Sequence, residues 1–203
     1  MPGTCDFQIS GQITYIQDNP PVSGRPYGSF RIRLKIPIQY IGQRAIQEHS
    51  IFVGIKYGTP DITNPRFNTL KASLANGKFL FMRGSIKPRD ASADGKYPAS
   101  LFVDAPWRQV KVQDLPFPVR NKVFFDGELV GVNGNRVTLK YTYTNPKEQD
   151  PKERWKERFY EMVVSPEADI HVNNGDNVFI EGRIFGVAPD GAQMVWMLLD
   201  EVY

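Results

Sequence analysis

The sequence predicts an all-β chain that folds as two tandem five-stranded Greek-key barrels. Two separate stretches, 76–86 and 174–184, share one pattern: an Asn-Gly turn, alternating apolar residues and a glycine inside the strand. The side chains that this alternation turns inward are Leu80, Met82, Gly84 and Ile86 in the first copy, and Val178, Ile180, Gly182 and Ile184 in the second. A glycine inside a strand marks a bulge or tight bend, and small closed barrels need such corners.

The first half of the chain predicts the element order β-β-β-α-β-β. Residues 30–38 alternate strictly, with apolar residues on one side and Arg31, Arg33 and Lys35 on the other. Apolar residues at 67–74 have helical spacing, and Asn76-Gly77 is a typical helix end. The other strands are expected at 7–16, 50–57, 78–87 and 99–112. A short helix between strands three and four is the arrangement of the oligonucleotide/oligosaccharide-binding (OB) fold.

The second half repeats this plan more compactly and without a full helix. Asn133-Gly134 between two alternating apolar runs is a strong hairpin signal. Pro116-Phe117-Pro118 is the expected joint between the barrels, and it is stiff because Gly and Ser are scarce there. The expected domains are 1–115 and 119–203. The five strands of the second domain are expected at 123–132, 136–144, 155–165, 177–187 and 193–203.

Residues 174–184, Asn-Gly-Asp-Asn-Val-Phe-Ile-Glu-Gly-Arg-Ile, resemble the fourth-strand signature of bacterial single-stranded DNA-binding proteins. In that family a Gly-containing turn leads into an apolar-Glu-Gly-Arg/Gln-apolar strand, and residues 76–86 are a looser echo of it. The resemblance implies OB folds whose aromatic-rich sheets and long hairpins wrap a single strand during DNA replication, repair or recombination. It also implies four such folds in one particle, which two tandem chains would supply as a homodimer.

Composition argues against several other classes of protein. No apolar run is long enough to span a membrane and the start lacks a secretion signal, so we expect a cytoplasmic or nucleoid-associated protein. Cys5 is the only cysteine and the histidines number two, which makes a metal site improbable. No Gly-rich phosphate loop or Gly-x-Ser-x-Gly elbow is present, so we expect neither an enzyme nor a cofactor. A carboxylate-only nuclease remains formally possible.

Charge is divided unevenly along the chain. Residues 1–118 carry 15 Lys/Arg against 8 Asp/Glu, a net charge of +7, and residues 119–203 carry 10 against 14, a net charge of −4. A basic first barrel suits a polyanion, because phosphates supply most of the nonspecific affinity for nucleic acid. Ordinary variation of surface charge is the alternative explanation.

Single-strand binding needs cations along the phosphates and flat side chains on which bases stack, each stack contributing about 1–3 kcal/mol. In the first barrel these types lie on outward strand faces and in the loops beside the usual OB cleft. They are Arg25, Tyr27, Arg31, Arg33, Lys35, Phe52, Lys56, Phe79, Phe81, Arg83, Lys87, Arg89, Lys96 and Tyr97. A weaker set in the second barrel is Lys140, Trp155, Lys156, Arg158, Tyr160 and Arg183.

These residues predict binding of single-stranded DNA without sequence readout, with the first barrel dominating the affinity and the second supporting assembly. Single-stranded RNA is the nearest competing ligand, because stacking and phosphate contacts do not distinguish the sugars. The cations also fit the wet face of a half-buried strand, and the phenylalanines fit a core or a subunit interface. The alternative class is therefore a non-enzymatic assembly protein, whose interface would be nearly indifferent to salt.

Overall fold

The computed structural model describes residues 4–39, 46–89, 100–134, 136–144, 150, 153–164, 171–187 and 195–202. Its strands are β1 (Thr4–Asn19), β2 (Tyr27–Gln39), β3 (Ile46–Gly58), β4 (Phe79–Arg89), β5 (Ser100–Pro106), β6 (Val110–Gln113), β7 (Asn121–Asn133), β8 (Arg136–Thr144), β9 (Trp155–Val164), β10 (Asn177–Val187) and β11 (Val195–Val202). One α-helix, α1 (Pro65–Ser73), lies between β3 and β4. No helix within these ranges is long and apolar enough to cross a membrane.

The first barrel closes in the order β1-β2-β3-β5-β4 and back to β1. β2 pairs antiparallel with both β1 and β3, whereas β3 and β5 run parallel from Gly54 opposite Asp104 to Lys56 opposite Pro106. This is the predicted OB topology. The barrel lies in a compact unit formed by residues 7–87 and 101–121.

The second barrel closes in the same way, in the order β7-β8-β9-β11-β10 and back to β7. Here too the third and fifth strands, β9 and β11, run parallel, while the other four strand pairs are antiparallel. Its compact unit contains residues 1–6, 88–100 and 122–203. Cys5 is buried in this unit, so the start of the chain contributes to the interior of the second barrel's unit.

Each barrel contains the same pair of backbone hydrogen bonds at the start of its fourth strand. In each barrel, a glycine with positive φ in the turn before the fourth strand donates its N–H to the carbonyl of a first-strand residue. The N–H of that first-strand residue donates to the carbonyl of the residue after the glycine. These residues are Ile13, Gly77 and Lys78 in the first barrel and Leu129, Gly175 and Asp176 in the second. The N···O distances are 2.8 and 2.8 Å in the first barrel, and 2.7 and 2.9 Å in the second. The sequence repeat is therefore a structural repeat.

The fourth strands turn their apolar sets inward as predicted. Leu80 and Met82 are fully buried in the first barrel, as are Ile180 and Ile184 in the second. A Cβ on Gly84 would lie 2.0 Å from the carbonyl oxygen of Asp104, so only glycine permits this approach of β4 to β5. The equivalent Gly182 in β10 sits at a register shift against β11, which is the bulge that its position predicts.

An aromatic core joins α1 to the first barrel. Phe67 of the helix is 1% exposed, and its ring lies 4.7 Å from that of Tyr57 and 5.5 Å from that of Trp107. The predicted strand at 99–112 is interrupted, because a 3-10 turn at Trp107–Gln109 carries the indole to this core. The chain then continues as β6, which pairs with β4.

Candidate functional site

Four side chains form a cluster on the outer face of the first barrel. Arg33 in β2 pairs in register with Tyr15 in β1 and with Phe52 in β3, so the three residues form a row across the sheet. The guanidinium carbon of Arg33 lies 5.2 Å from the Phe52 ring centroid and 5.7 Å from that of Tyr15. The guanidinium carbon of Arg31 lies 4.3 Å from the Phe52 centroid. We call Tyr15, Arg31, Arg33 and Phe52 the Arg–aromatic cluster.

A bulge in β1 brings Tyr15 to this face. Strand alternation from Ile9 through Ile13, both fully buried, would place Tyr15 inside the barrel. The pairing instead moves from Ile13 opposite Leu34 to Tyr15 opposite Arg33, and the Tyr15 side chain is 40% exposed. Periodicity alone therefore missed Tyr15 as a candidate, because a bulge reverses the inward and outward positions that follow it.

The cations on this face differ in how far neighbouring carboxylates neutralise them. Arg31 and Arg33 are exposed, and among the described residues no carboxylate forms an ion pair with Arg33. Lys35 forms an ion pair with Glu48. Lys56 lies 2.5 Å from a carboxylate oxygen of Asp104, whose side chain is only 10% exposed. Within the predicted row of Arg31, Arg33 and Lys35, both arginines are exposed and Lys35 is ion-paired with Glu48.

The loop before β2 extends the same outward side. Val22 and Arg25 bond to each other through both backbone N–H groups, at 3.1 and 2.9 Å, around Gly24 with φ +78°. The Arg25 guanidinium donates to the carbonyl of Pro20 at 3.1 Å. Tyr27, at the start of β2, is 68% exposed and shares strand parity with Arg31. Arg25 therefore lies in this loop, and Tyr27, predicted in the loop, is the first residue of β2.

A second predicted face, on β4, is partly covered. Phe79 and Phe81 are half-buried, and the Phe81 ring lies 5.9 Å from that of Phe117. The segment after Phe117 is held by Ser10, whose hydroxyl donates to the carbonyl of Pro118 at 2.9 Å and accepts from the backbone N–H of Arg120 at 2.9 Å. The predicted joint is thus docked on the first barrel's own unit. The Phe81 ring therefore contacts Phe117 of this segment.

Two further first-barrel candidates lie on β4. Arg83 and Lys87 are exposed on that strand. Arg89 is its last residue, but its side chain is outside the described part of the structure, as are Lys96 and Tyr97 entirely.

In the second barrel, Tyr160 is a core residue, which corrects its assignment to a binding surface. It is 1% exposed, pairs with the buried Leu139 and lies 5.6 Å from the ring of Phe125. Burial, and next the nearby Cys5, raise the pKa of the Tyr160 hydroxyl. Its alternation with Met162, another fully buried residue, turns it inward. The ring is therefore closed off from a ligand.

The hairpin of β8 and β9 carries the other second-barrel candidates. Lys140 lies 2.5 Å from Glu128 and 3.8 Å from Glu157, and its hydrogen bond to Glu128 raises its pKa. The Arg158 guanidinium carbon lies 4.1 Å from the centroid of Tyr143. Tyr143 in turn stacks on Tyr141, with centroids 5.7 Å apart and planes 10° apart. Tyr141 and Tyr143 alternate along β8, and this spacing in the sequence indicates two rings on one side of the strand.

The other members of that set vary in exposure. Trp155 is 53% exposed at the start of β9, while Lys156 beside it and Arg183 in β10 are half-buried. Within the described ranges, no group of three or more His, Cys, Asp or Glu side chains is placed to hold a metal ion.

The structural repeat identifies which residues of the second barrel correspond to the Arg–aromatic cluster. After the bulge, the row Tyr15, Arg33 and Phe52 in the first barrel corresponds to Gly131, Thr138 and Glu161 in the second. Arg31 corresponds to Arg136, whose guanidinium lies 2.7 Å from the Glu161 carboxylate. The second barrel thus has a neutralised arginine and no ring at the equivalent place.

The sequence matches no protein-family model and no curated protein sequence. Its fold matches two crystal structures of the single-stranded DNA binding protein from Thermus aquaticus. The wild-type structure gives a TM-score of 0.62 at 14% identity, covering 100% of this chain and 93% of that one. A deletion mutant gives a TM-score of 0.64 at 14% identity, covering 100% and 94%. The predicted resemblance to the OB folds of bacterial single-stranded DNA-binding proteins is confirmed at the level of fold.

Proposed function

We propose that this protein binds single-stranded DNA without sequence readout, chiefly through the first barrel. The observation that carries the proposal is the Arg–aromatic cluster on the outer face of β1, β2 and β3. The β2–β3 face is where OB folds usually bind oligonucleotides. The cluster combines the two requirements of single-strand binding, which are cations for phosphates and flat surfaces for bases.

Electrostatics supports the first barrel as the principal binding surface. The net charge of +7 over residues 1–118 attracts a polyanion, and two arginines of the cluster are exposed. In the second barrel, the equivalent Arg136 is ion-paired with Glu161 and Lys140 is ion-paired with Glu128. A phosphate would have to displace these carboxylates, so a phosphate contact in the second barrel contributes less to the affinity.

The second barrel contributes a secondary surface and supports assembly. Its β8–β9 hairpin offers Tyr141, Tyr143 and Arg158 as a stacked ladder, with Trp155 exposed nearby. The Thermus aquaticus protein that shares the fold is named for single-stranded DNA binding. The resemblance of residues 174–184 to the bacterial family implies a homodimer of two chains with four OB folds. We place its work in DNA replication, repair or recombination, in the cytoplasm or on the nucleoid.

Fluorescence anisotropy tests this function. The purified protein is titrated into a labelled single strand of about 30 nucleotides, long enough for more than one OB fold, and into the matching duplex. Each titration is done at low and high salt. We expect preferential binding to the single strand that weakens steeply as salt rises, because bound counterions are released from several phosphates.

The same titration separates the alternatives. An RNA strand of equal length that binds as tightly as the DNA strand would extend the ligand class to RNA, because the 2′-hydroxyl is then not read. No binding to either strand at low salt would contradict the proposal and favour an assembly protein whose aromatics bury a protein interface.

A further inference from the structure

We propose that Phe52 is a positioning residue, and that the guanidinium planes of Arg31 and Arg33, together with the ring of Tyr15, contact the bases. This inference rests on the proposed function and specifies how its site works. The ring that a sequence search selects as a stacking platform would instead be the support beneath two arginines.

The contacts around Phe52 carry this inference. The guanidinium carbons of Arg31 and Arg33 lie 4.3 and 5.2 Å from its ring centroid, within the range of cation–π contacts. Both arginines are exposed, whereas Phe52 is half-buried. The atoms that a ligand meets first are therefore those of the arginines.

Tyr15 provides the ring of the cluster that faces outward. Its ring is nearly perpendicular to that of Phe52, at 87°, with the centroids 6.5 Å apart. It is 40% exposed, and the Arg33 guanidinium carbon lies 5.7 Å from its centroid. A base stacked on Tyr15 would thus have a guanidinium plane beside it.

The strand next to β2 leaves Arg31 space to lean over Phe52. Arg31 pairs across the sheet with Gly54, which has no side chain. A Cβ at Gly54 would lie 2.3 Å from a carboxylate oxygen of Asp104, so a larger residue there would have to displace that carboxylate. Phe52 and Gly54 together therefore determine where the Arg31 guanidinium lies.

This arrangement uses a property that lysine lacks. A guanidinium is planar, so it can stack on a base with its face while its N–H groups donate to a phosphate. A lysine at the same place would keep the charge and lose the plane. Replacing these arginines by lysine therefore separates the contribution of charge to the binding affinity from that of the planar guanidinium.

A double-mutant cycle tests the dependence of the arginines on the ring. The full chain is titrated with oligothymidylate as Phe52→Leu, as Arg31→Lys/Arg33→Lys, and as the triple combination. We expect the first two changes each to raise Kd about tenfold, the equivalent of one stack, and the triple change to raise it hardly further. Independent effects that multiply to about a hundredfold would overturn the inference.

Two controls make the cycle specific. Phe52→Tyr keeps the planar ring and should bind as the wild-type protein does. Phe159→Leu makes the same truncation at a phenylalanine of the second barrel that is 53% exposed, and it should leave Kd unchanged. The lysine variants alter no buried side chain, so they remain informative even where Phe52→Leu lowers the melting temperature. Failure of Phe52→Tyr to restore binding would overturn the inference.

Photocrosslinking locates the base contact directly. A single strand that contains 5-iodouracil is irradiated with the wild-type protein, and the adduct is mapped by mass spectrometry. We expect the adduct on Tyr15; an adduct on Phe52 would overturn the inference while leaving the proposed function intact. Absence of any binding by the wild-type protein would overturn both.

Discussion

Replacing Arg31 and Arg33 together by alanine should weaken single-strand binding strongly. On a single strand, each phosphate contact contributes about 0.7 to the slope of log K against log salt, so losing two contacts should lower that slope by about 1.4. At about 0.1 M salt the same relation predicts a loss of about 25-fold in affinity. Both arginines are exposed on β2, so the fold should persist.

The assay is the anisotropy titration repeated across a salt series. The matched control is Arg136→Ala/Lys140→Ala, which removes the same number of positive charges from the second barrel, where both are ion-paired with carboxylates. We expect less than about a threefold change for the control, since its cations are already neutralised. Sedimentation should show the same oligomer for both variants. An equal loss in the two variants would refute the reasoning, because net charge rather than the cluster would then govern affinity.

Three further predictions concern the structural repeat and the core. Introducing Thr138→Arg with Glu161→Phe gives the second barrel equivalents of Arg33 and Phe52 beside its own Arg136, and should tighten single-strand binding about tenfold by anisotropy; unchanged affinity would mean that these residues are not sufficient without an equivalent of Tyr15. Gly84→Ala should lower the free energy of unfolding by more than about 2 kcal/mol in urea, because its Cβ would lie 2.0 Å from a backbone oxygen of β5. Gly131→Ala, whose nearest neighbour would be 3.7 Å away, should change it by less than about 0.5 kcal/mol. Burial raises the pKa of the Cys5 thiol, so a disulfide reagent should label it only after unfolding; rapid labelling of the native protein at pH 8 would contradict its burial.

The sequence predicted the parts of the fold that depend on local pattern. Strict alternation over 30–38 identified the inward and outward sides of β2, and Phe30, Ile32, Leu34 and Ile36 are buried. Gly77 and Gly175 follow asparagine in turns and adopt the positive φ that this position favours. The helix predicted at 67–74 forms at Pro65–Ser73, where Asn64 caps it by accepting from the N–H of Arg66.

Tertiary structure determined the features that local pattern missed. Tyr15 faces outward only because β1 contains a bulge, and no residue at the bulge itself is a glycine that would announce it. Tyr160 looked equivalent to Arg158 by alternation, and both share one side of β9. That side of β9 faces the barrel core at Tyr160. The position of a residue along the strand, rather than alternation alone, therefore determines its exposure.

Long-range ion pairs were also beyond a sequence analysis. Lys35 and Lys56 appear in the predicted binding set as free cations, yet each has a carboxylate partner from a neighbouring strand. Register across the sheet creates these pairs, and neither partner is close in sequence. The structure therefore pairs both of these predicted lysines with carboxylates.

The proposed binding mode places a single strand on the outer face of β1, β2 and β3. Backbone amide NMR of the full chain during titration with a short oligothymidylate tests it most directly. We expect the largest chemical-shift changes at Tyr15, Arg31, Arg33 and Phe52, and small changes at Thr138 and Glu161. Changes confined to the second barrel, with the first-barrel face unaltered at saturation, would contradict it.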